Sequence, residues 1–260
     1  MQTYLSYFKQ LFLLYRYSIL VIISCLLIWQ VLSDKEIVNP HFIPSPATIL
    51  KAEIEWIKTG EFLIDLQASL WRGGIGFVLG VSIGVLLGIF TGRISFLDQT
   101  LSPIMNVLRS FPPVSLLPVF ITLFGIGDSS KVFSIAFAVL FPVWINAHIG
   151  SANIPTEYLR SARLMSDSRL AIFAKIVIPS AMRWIVGGIR LGISMTFIML
   201  YVSELAGAST GLGYRISAAH LAYRTDTMFA ALFTLGLLSA GADMLFRYFS
   251  FNIFPYLKLS

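Results

Sequence analysis

Long apolar runs recur along this chain, separated by short polar stretches. Each run is about 20 residues long, the length an α-helix needs to cross the hydrocarbon core of a bilayer. The pattern predicts spans over residues 14–32, 66–91, 103–124, 131–150, 180–205 and 228–249. Between the first two, Pro40, Pro44 and Pro46 stop the helix and call for an extended chain. From Ala47 to Lys58 the period becomes helical. Ile49, Leu50, Ile54 and Ile57 oppose Lys51, Glu55 and Lys58, which predicts an amphipathic helix on the outer membrane surface. The expected organisation is a first segment and crossing at 1–34, an outer loop with this helix at 35–64, a five-helix core at 65–250 and a tail at 251–260.

Composition supports the membrane reading. Of 260 residues, 57% are hydrophobic and 12% charged, where a soluble domain carries about 25% charged residues. The net charge of +6 would suggest nucleic acid in a soluble protein, but topology explains it here and no nucleic-acid partner is expected. With the N-terminus in the cytoplasm, 12 of the 19 cations fall on the inner side, among them Lys9, Arg93, Arg109, Arg160, Arg163, Arg169 and Lys175. Positive residues gather inside, so both termini are expected in the cytoplasm. Arg16, Arg72, Arg183 and Arg190 sit near span ends, from which long side chains reach the interface. The apolar run Tyr17–Leu32 follows Lys9 and Arg16 without a small-x-small cleavage site, so it reads as a retained anchor. A single cysteine, Cys25, allows no internal disulfide. No clustered His, Cys and carboxylate set suggests a metal, and no G-x-x-x-x-G-K-[ST] loop is present to hold ATP.

Three features carry mechanism. Gly76, Gly80, Gly84 and Gly88, with Gly92 one step beyond, recur every four residues. Such a row lets another helix approach closely, as static packing or as a sliding contact. Pro112, Pro113 and Pro118 fall within seven residues, which a regular helix does not accommodate. They give either a broken helix beside a translocation path or a kink. The polar stretch Ile154–Pro179 is longer than a connection needs. Thr156 can cap a short helix with Glu157 in its first turn, and Tyr158, Leu159, Ala162 and Met165 make an apolar stripe. Ser166, Asp167 and Ser168 break it, and Ser168 can cap a second helix that stops before Pro179. This basic helix–turn–helix reads as a docking knob for a cytoplasmic partner, or as an amphipathic loop on anionic lipid.

In sequence order, Ile43–Pro46, Ala68–Phe77, Leu123–Lys131, Phe141-Pro142, Glu204–Gly207, Thr210–Gly213 and Arg224–Asp226 make the chain resemble the permease family of binding-protein-dependent ABC importers, in its nitrate/sulfonate/taurine branch. The likeness runs from about Phe42 to Phe249. It implies an all-α type I importer permease fold in the bacterial inner membrane. It also implies that 151–179 is a coupling loop seated in an ATPase groove, with Thr156, Glu157, Leu159, Arg160, Ser161, Ala162, Arg163, Met165, Ser166, Asp167 and Pro179 at the contact. The family pattern has Glu-Ala-Ala and then Gly. This chain has Arg160-Ser161-Ala162 and then Ser166, a reversed charge and a side chain that costs about 1–2 kcal/mol in a left-handed turn.

After the fifth span, the resemblance implies a short re-entrant element at the outer mouth. Gly211, Gly213, Glu204 and Arg224 would then join the prolines as path or gate residues. Glu204 is the strongest candidate for a functional charge, while Arg215 reads as loop solvation. The implied partners are a second copy of the chain, two copies of a cytoplasmic ABC ATPase that bind ATP and magnesium, and an extracytoplasmic substrate-binding protein. No cofactor is expected on this chain. The implied substrates are small anions such as sulfonates, taurine, nitrate or bicarbonate, with a pyrimidine or thiamine precursor as the alternative. Two more distant readings are weaker. Gly207-Ala-Ser-Thr-Gly211 fits the G-x-S-x-G nucleophile pattern and so raises an intramembrane serine protease, but it follows a membrane helix instead of a strand. A secondary transporter would show an internal repeat, and none is evident.

Overall fold

The structure is a computed structural model that describes residues 2–165 and 168–254. In order, its helices are α1 (Gln2–Asp34), α2 (Pro46–Lys58), α3 (Glu61–Arg93), α4 (Ser95–Leu108), α5 (Leu117–Phe124), α6 (Asp128–Ala152), α7 (Thr156–Met165), α8 (Arg169–Ile172), α9 (Ile178–Leu205), α10 (Leu212–Leu221) and α11 (Thr225–Ile253). A 3₁₀ turn, Pro113–Leu116, leads into α5, and a π turn, Phe173–Val177, joins α8 to α9. Among the described residues, five helices are long and apolar enough to cross a membrane. A sixth crossing exists if α4 and the turn-plus-α5 segment, bent by 86°, count as one. The expected span 103–124 is therefore not a straight helix. The Arg109 amide closes α4 on the Met105 carbonyl, and Pro112 is extended (φ −60°, ψ 122°), as a following proline imposes. Pro113 and Pro118 then occupy first-turn positions, where a missing N–H costs nothing.

The chain separates into two compact units, Met1–Phe62 with Ile216–Ala231, and Leu63–Arg215 with Leu232–Ser260. In the first, the proline-rich connection turns after Asn39 and is extended, as expected, at Ser45 (φ −68°, ψ 150°). The Asn39 side chain accepts from the His41 amide at 2.9 Å, and the Asn39 carbonyl accepts from the Phe42 amide at 3.0 Å. Ser45 then caps α2 by accepting from the Thr48 amide at 3.3 Å, with Pro46 as the first helical residue. The α2 face that is buried carries Ile49, Ala52 and Trp56. Ile49 and Ala52 cluster with Ala230, and Trp29 and Phe229 close on them. Leu50, Ile54 and Ile57, which share the expected membrane-facing stripe with Ile49, are exposed. Trp56 widens the buried arc at their expense.

The second unit is organised around α6, which packs chiefly on α9 and receives the glycine row of α3. A Cβ on Gly80 would stand 2.6 Å from the Ala136 carbonyl and 2.7 Å from Val139 Cβ. On Gly84 it would stand 2.8 Å from the Leu140 carbonyl, and on Gly76 2.7 Å from Ile135. The four-residue period of α3 thus matches the four-residue period of the α6 backbone. At one end of this pair, Ile89, Ala147, Ile154, Val177, Ala181 and Ile185 form a buried cluster that joins α3, α6 and the start of α9. The helix expected to stop before Pro179 instead runs on. Proline cannot donate and its ring clashes with the carbonyl four residues back. Here the Ile178 amide reaches back five residues to Phe173, and the widened π turn accommodates the ring without ending the helix.

Gly80→Ala is expected to wedge α3 off α6 and to lower stability by about 1–3 kcal/mol. Gly74→Ala is the control, since a Cβ there meets nothing within 4 Å. Thermal unfolding midpoints in detergent distinguish the two: a fall for Gly80→Ala alone bears out the contact, and equal midpoints contradict it.

Candidate functional site

Asp65, Ser69 and Arg72 are spaced four and three residues apart, which places them on one face of α3. Glu204 is the last residue but one of α9, and α10 begins a few residues later at Leu212. The first amides of any helix have no acceptor within it. In α10 these amides are satisfied by side chains of other helices. The Gly211 amide donates to Asp65 Oδ1, the Leu212 amide to Ser69 Oγ and the Gly213 amide to Glu204 Oε2, each at 2.8 Å. The negative charge of Asp65 and Glu204 also suits the positive end of the α10 dipole.

The rest of the site neutralises those acids. Arg72 Nη1 donates to Glu204 Oε1 at 2.9 Å and to the Thr210 carbonyl at 2.7 Å, while its Nε reaches Asp128 Oδ1 at 2.6 Å. Ser69 Oγ donates to the Glu204 carboxylate at 2.8 Å. Arg215 grips Asp65 Oδ2 through Nε at 2.9 Å and Nη2 at 2.8 Å. Lys131 is buried at the start of α6 and donates to the Gly127 carbonyl at 2.9 Å. Asp65, Asp128 and Glu204 thus stand with Arg72, Lys131 and Arg215 in a balanced set. Glu204 is 1% exposed and Arg72 6%, depths at which an unpaired charge would be prohibitive.

Two glycines are required here. Gly211 has φ +126°, and a Cβ on it would meet the Glu204 carboxylate. A Cβ on Gly213 would lie 2.8 Å from the Tyr201 carbonyl of α9. The loop between α9 and α10 is therefore pressed onto α9 by backbone contact and tied to α3 by charge. The connection runs from helix to helix, so the strand-to-helix elbow that a G-x-S-x-G nucleophile requires is not built at Ser209. The network makes a clamp that orients α10.

Of the residues singled out in the sequence, Glu204, Gly211 and Gly213 meet in this clamp. Its other members were not legible as such. Arg72 does not reach out to the interface, and Arg215 is not solvated loop: each is drawn inward by a buried carboxylate. The 65/69/72 spacing was the available signal. Arg224 lies in the first unit and is mostly exposed, with Nε 4.0 Å from Asp226 Oδ1. Pro112, Pro113 and Pro118 belong to the bend between α4 and α5 and make no hydrogen bond to the clamp among the described residues.

The connection between α6 and α9 is folded back at both ends, with Ile154 and Val177 in the core cluster. Thr156 is the first residue of α7, and its hydroxyl meets the Glu157 carboxylate at 3.4 Å. Ser168 does cap α8, accepting from the Ala171 amide at 3.3 Å. On α7, Ala162 is buried, while Glu157, Arg160, Ser161 and Arg163 are exposed. Tyr158, placed in the same stripe as Ala162, is exposed, and Leu164, outside that stripe, is 90% exposed. Ser166 and Asp167 lie outside the described residues.

These features define an all-α, multi-pass membrane protein with the fold of type I ABC importer permeases. The inward-facing MetNI methionine ABC transporter shares the fold, with a TM-score of 0.59 at 22% identity, over 78% of this chain and 97% of that one. The chain belongs to the family of binding-protein-dependent transport system inner membrane components, whose profile matches residues 80–254. It is 32% identical to the aliphatic sulfonates transport permease protein SsuC of Bacillus subtilis, over 85% of this chain and 80% of that protein. It is 27% identical to the nitrate import permease protein NrtB of Synechocystis, over 88% of this chain and 86% of that protein. It is thus an inner-membrane permease subunit of the nitrate/sulfonate/taurine importer branch.

Arg72→Met is expected to strand Glu204 and to lower stability by about 3–5 kcal/mol, as removing one partner of a buried pair does. Adding Glu204→Leu should recover part of that loss, because no uncompensated charge then remains at this pair. Unfolding of the two single variants and the double variant measures the coupling, and additive losses would show that the pair does not act as a unit.

Proposed function

We propose that the chain forms half of the translocation path of an ATP-driven importer, paired with a second copy of itself. Both termini and the Pro155–Pro179 connection face the cytoplasm, and a binding protein delivers a small anion to the opposite face. Hydrolysis takes place on two separate ATPase subunits, which bind ATP and magnesium. The observation that carries this reading is the surface of α7 and α8. Tyr158, Leu164 and Leu170 expose apolar side chains on a short polar hairpin, while Ile154, Ala162 and Val177 bury the hairpin's base. Rigidly seated apolar knobs flanked by Arg160 and Arg163 fit a groove in a partner with acidic residues at its rim.

The proposed cycle is alternating access. A loaded receptor docks, the ATPases close, and their motion passes through Pro155–Pro179 into α6 and α9, which rock to open the path outward. Arg224 on the outer side and the bend at Pro112, Pro113 and Pro118 are the proposed gate elements. The proposed substrates are sulfonates, taurine, nitrate or bicarbonate, in line with relatives named for aliphatic sulfonates and nitrate. A pyrimidine or thiamine precursor is the alternative, and calorimetry on the cognate receptor with each compound decides between them.

Leu164→Glu tests the docking. It should cut receptor-dependent uptake in proteoliposomes by about tenfold or more, as loss of an interface anchor does, with insertion and unfolding midpoint unchanged. Unaltered uptake, or an ATPase that co-purifies equally well with the variant, would reject α7 as the coupling element.

A further inference from the structure

Away from the clamp, α9 and α11 enclose two adjoining hollows of about 180 and 680 Å³ that share Gly187 and Arg190. Small residues on both helices, Gly187 and Ser194 facing Gly236, Ser239 and Ala240, open this space. Its charge is unbalanced: Arg183, Arg190 and Arg247 line it against a single acid, Asp243. Arg190 bonds Asp243 through Nε at 2.6 Å and Nη2 at 3.0 Å, and Arg247 Nε stands 3.6 Å from the same carboxylate. Asp243 therefore fixes two guanidiniums while cancelling only one charge. Cations at membrane depth mark a polar ligand or path.

The depth of the groove narrows the choice. Arg183 lies 21 residues before Glu204 on α9, and Arg247 lies 21 residues after Asp226 on α11. At 1.5 Å per residue, Arg183 sits about 30 Å from Glu204 and Arg247 about 30 Å from the start of α11, the thickness of the hydrocarbon core. Both thus reach headgroup level in the leaflet on the side of Pro155–Pro179. Val186, Phe246 and Phe251 line the smaller hollow beside the guanidiniums and offer apolar surface to acyl chains. A second copy meeting this face across a two-fold axis would set the same excess of cations against itself.

We propose that Arg183, Arg190 and Arg247 hold the phosphodiester of an anionic phospholipid in the groove between α9 and α11. Guanidinium forks match two phosphate oxygens, and a net charge of about +2 in the lining selects phosphatidylglycerol over a zwitterionic lipid. The site is independent of which anion is transported and of which subunits attach elsewhere.

Native mass spectrometry of the full-length protein in detergent, with equal phosphatidylglycerol and phosphatidylcholine, reads the preference directly. Wild type should retain phosphatidylglycerol selectively. Arg183→Gln and Arg247→Gln should each weaken retention about fivefold, and more strongly together. Arg109→Gln, an exposed arginine outside the groove, should not. Equal retention of the two lipids by wild type, or an equal loss with Arg109→Gln, overturns the proposal. So does Arg183-dependent binding of hexanesulfonate without lipid preference, which would assign the groove to a free anion.

Discussion

The Arg72–Glu204 pair ties together elements that no local rule would join. Glu204 is buried because α9 must end where α10 turns back, and α10 begins with amides that nothing in its own helix can satisfy. A carboxylate answers that need but brings a charge into a dry interior. Arg72 then becomes obligatory, and its second and third bonds, to Asp128 and Thr210, draw the start of α6 and the α9–α10 loop into the same knot. Remove the arginine and three segments lose a common partner. The buried members, Asp65, Arg72, Lys131 and Glu204, make sense only as a set, since each alone would cost more by desolvation than it returns by attraction.

The glycine row performs the complementary task without charge. Lipid tails are as apolar as leucine, so helices in a bilayer gain little from burying hydrocarbon against each other. Close backbone approach gives α3 and α6 dispersion contacts that lipid cannot match, and that needs side chains of zero size at every fourth position. One face of α3 therefore holds two kinds of adhesive in succession: an acid, a serine and an arginine in its first turns, then glycines to its end. Gly73 sits beside both, with a Cβ position 3.5 Å from Thr196.

The six apolar runs could be read from sequence because bilayer thickness dictates their length, and that dictate is one-dimensional. Glu204 could be picked out because an acid at membrane depth is conspicuous by itself. Its partners could not, because Ser69 and Arg72 lie 135 and 132 residues away, and pairing across that distance leaves no periodic trace. The stretches that carried the family likeness, Ala68–Phe77, Leu123–Lys131, Glu204–Gly207 and Thr210–Gly213, turn out to supply most of the clamp. They are separate in sequence and one object in space. Pro179 misled for a different reason. Proline ends a regular helix, but a π turn supplies the missing room at the cost of one extra residue per turn, and nothing in Phe173–Val177 announces it. On α7, the stripe drawn through Ala162 groups it with Tyr158, yet the structure buries Ala162 and exposes Tyr158.

These parts are arranged along one rod. Helix α9 runs about 42 Å from Ile178 to Leu205 at helical rise. At its start it is continuous through the π turn with the α7–α8 hairpin, and at its end it holds Glu204. Along its length Gly188 and Gly192 lie close against α6, where a Cβ on Gly188 would stand 2.7 Å from Asn146 Cβ. A close-packed rod transmits displacement because its neighbours leave it no room to bend. The one place where its bonding departs from the α pattern is the π turn, immediately beside the proposed ATPase contact. On the proposed reading, motion imposed at Tyr158 and Leu164 enters a stiff element through the π turn. It leaves at the carboxylate that orients α10, so docking at one end and the clamp at the other are coupled by the absence of slack between them.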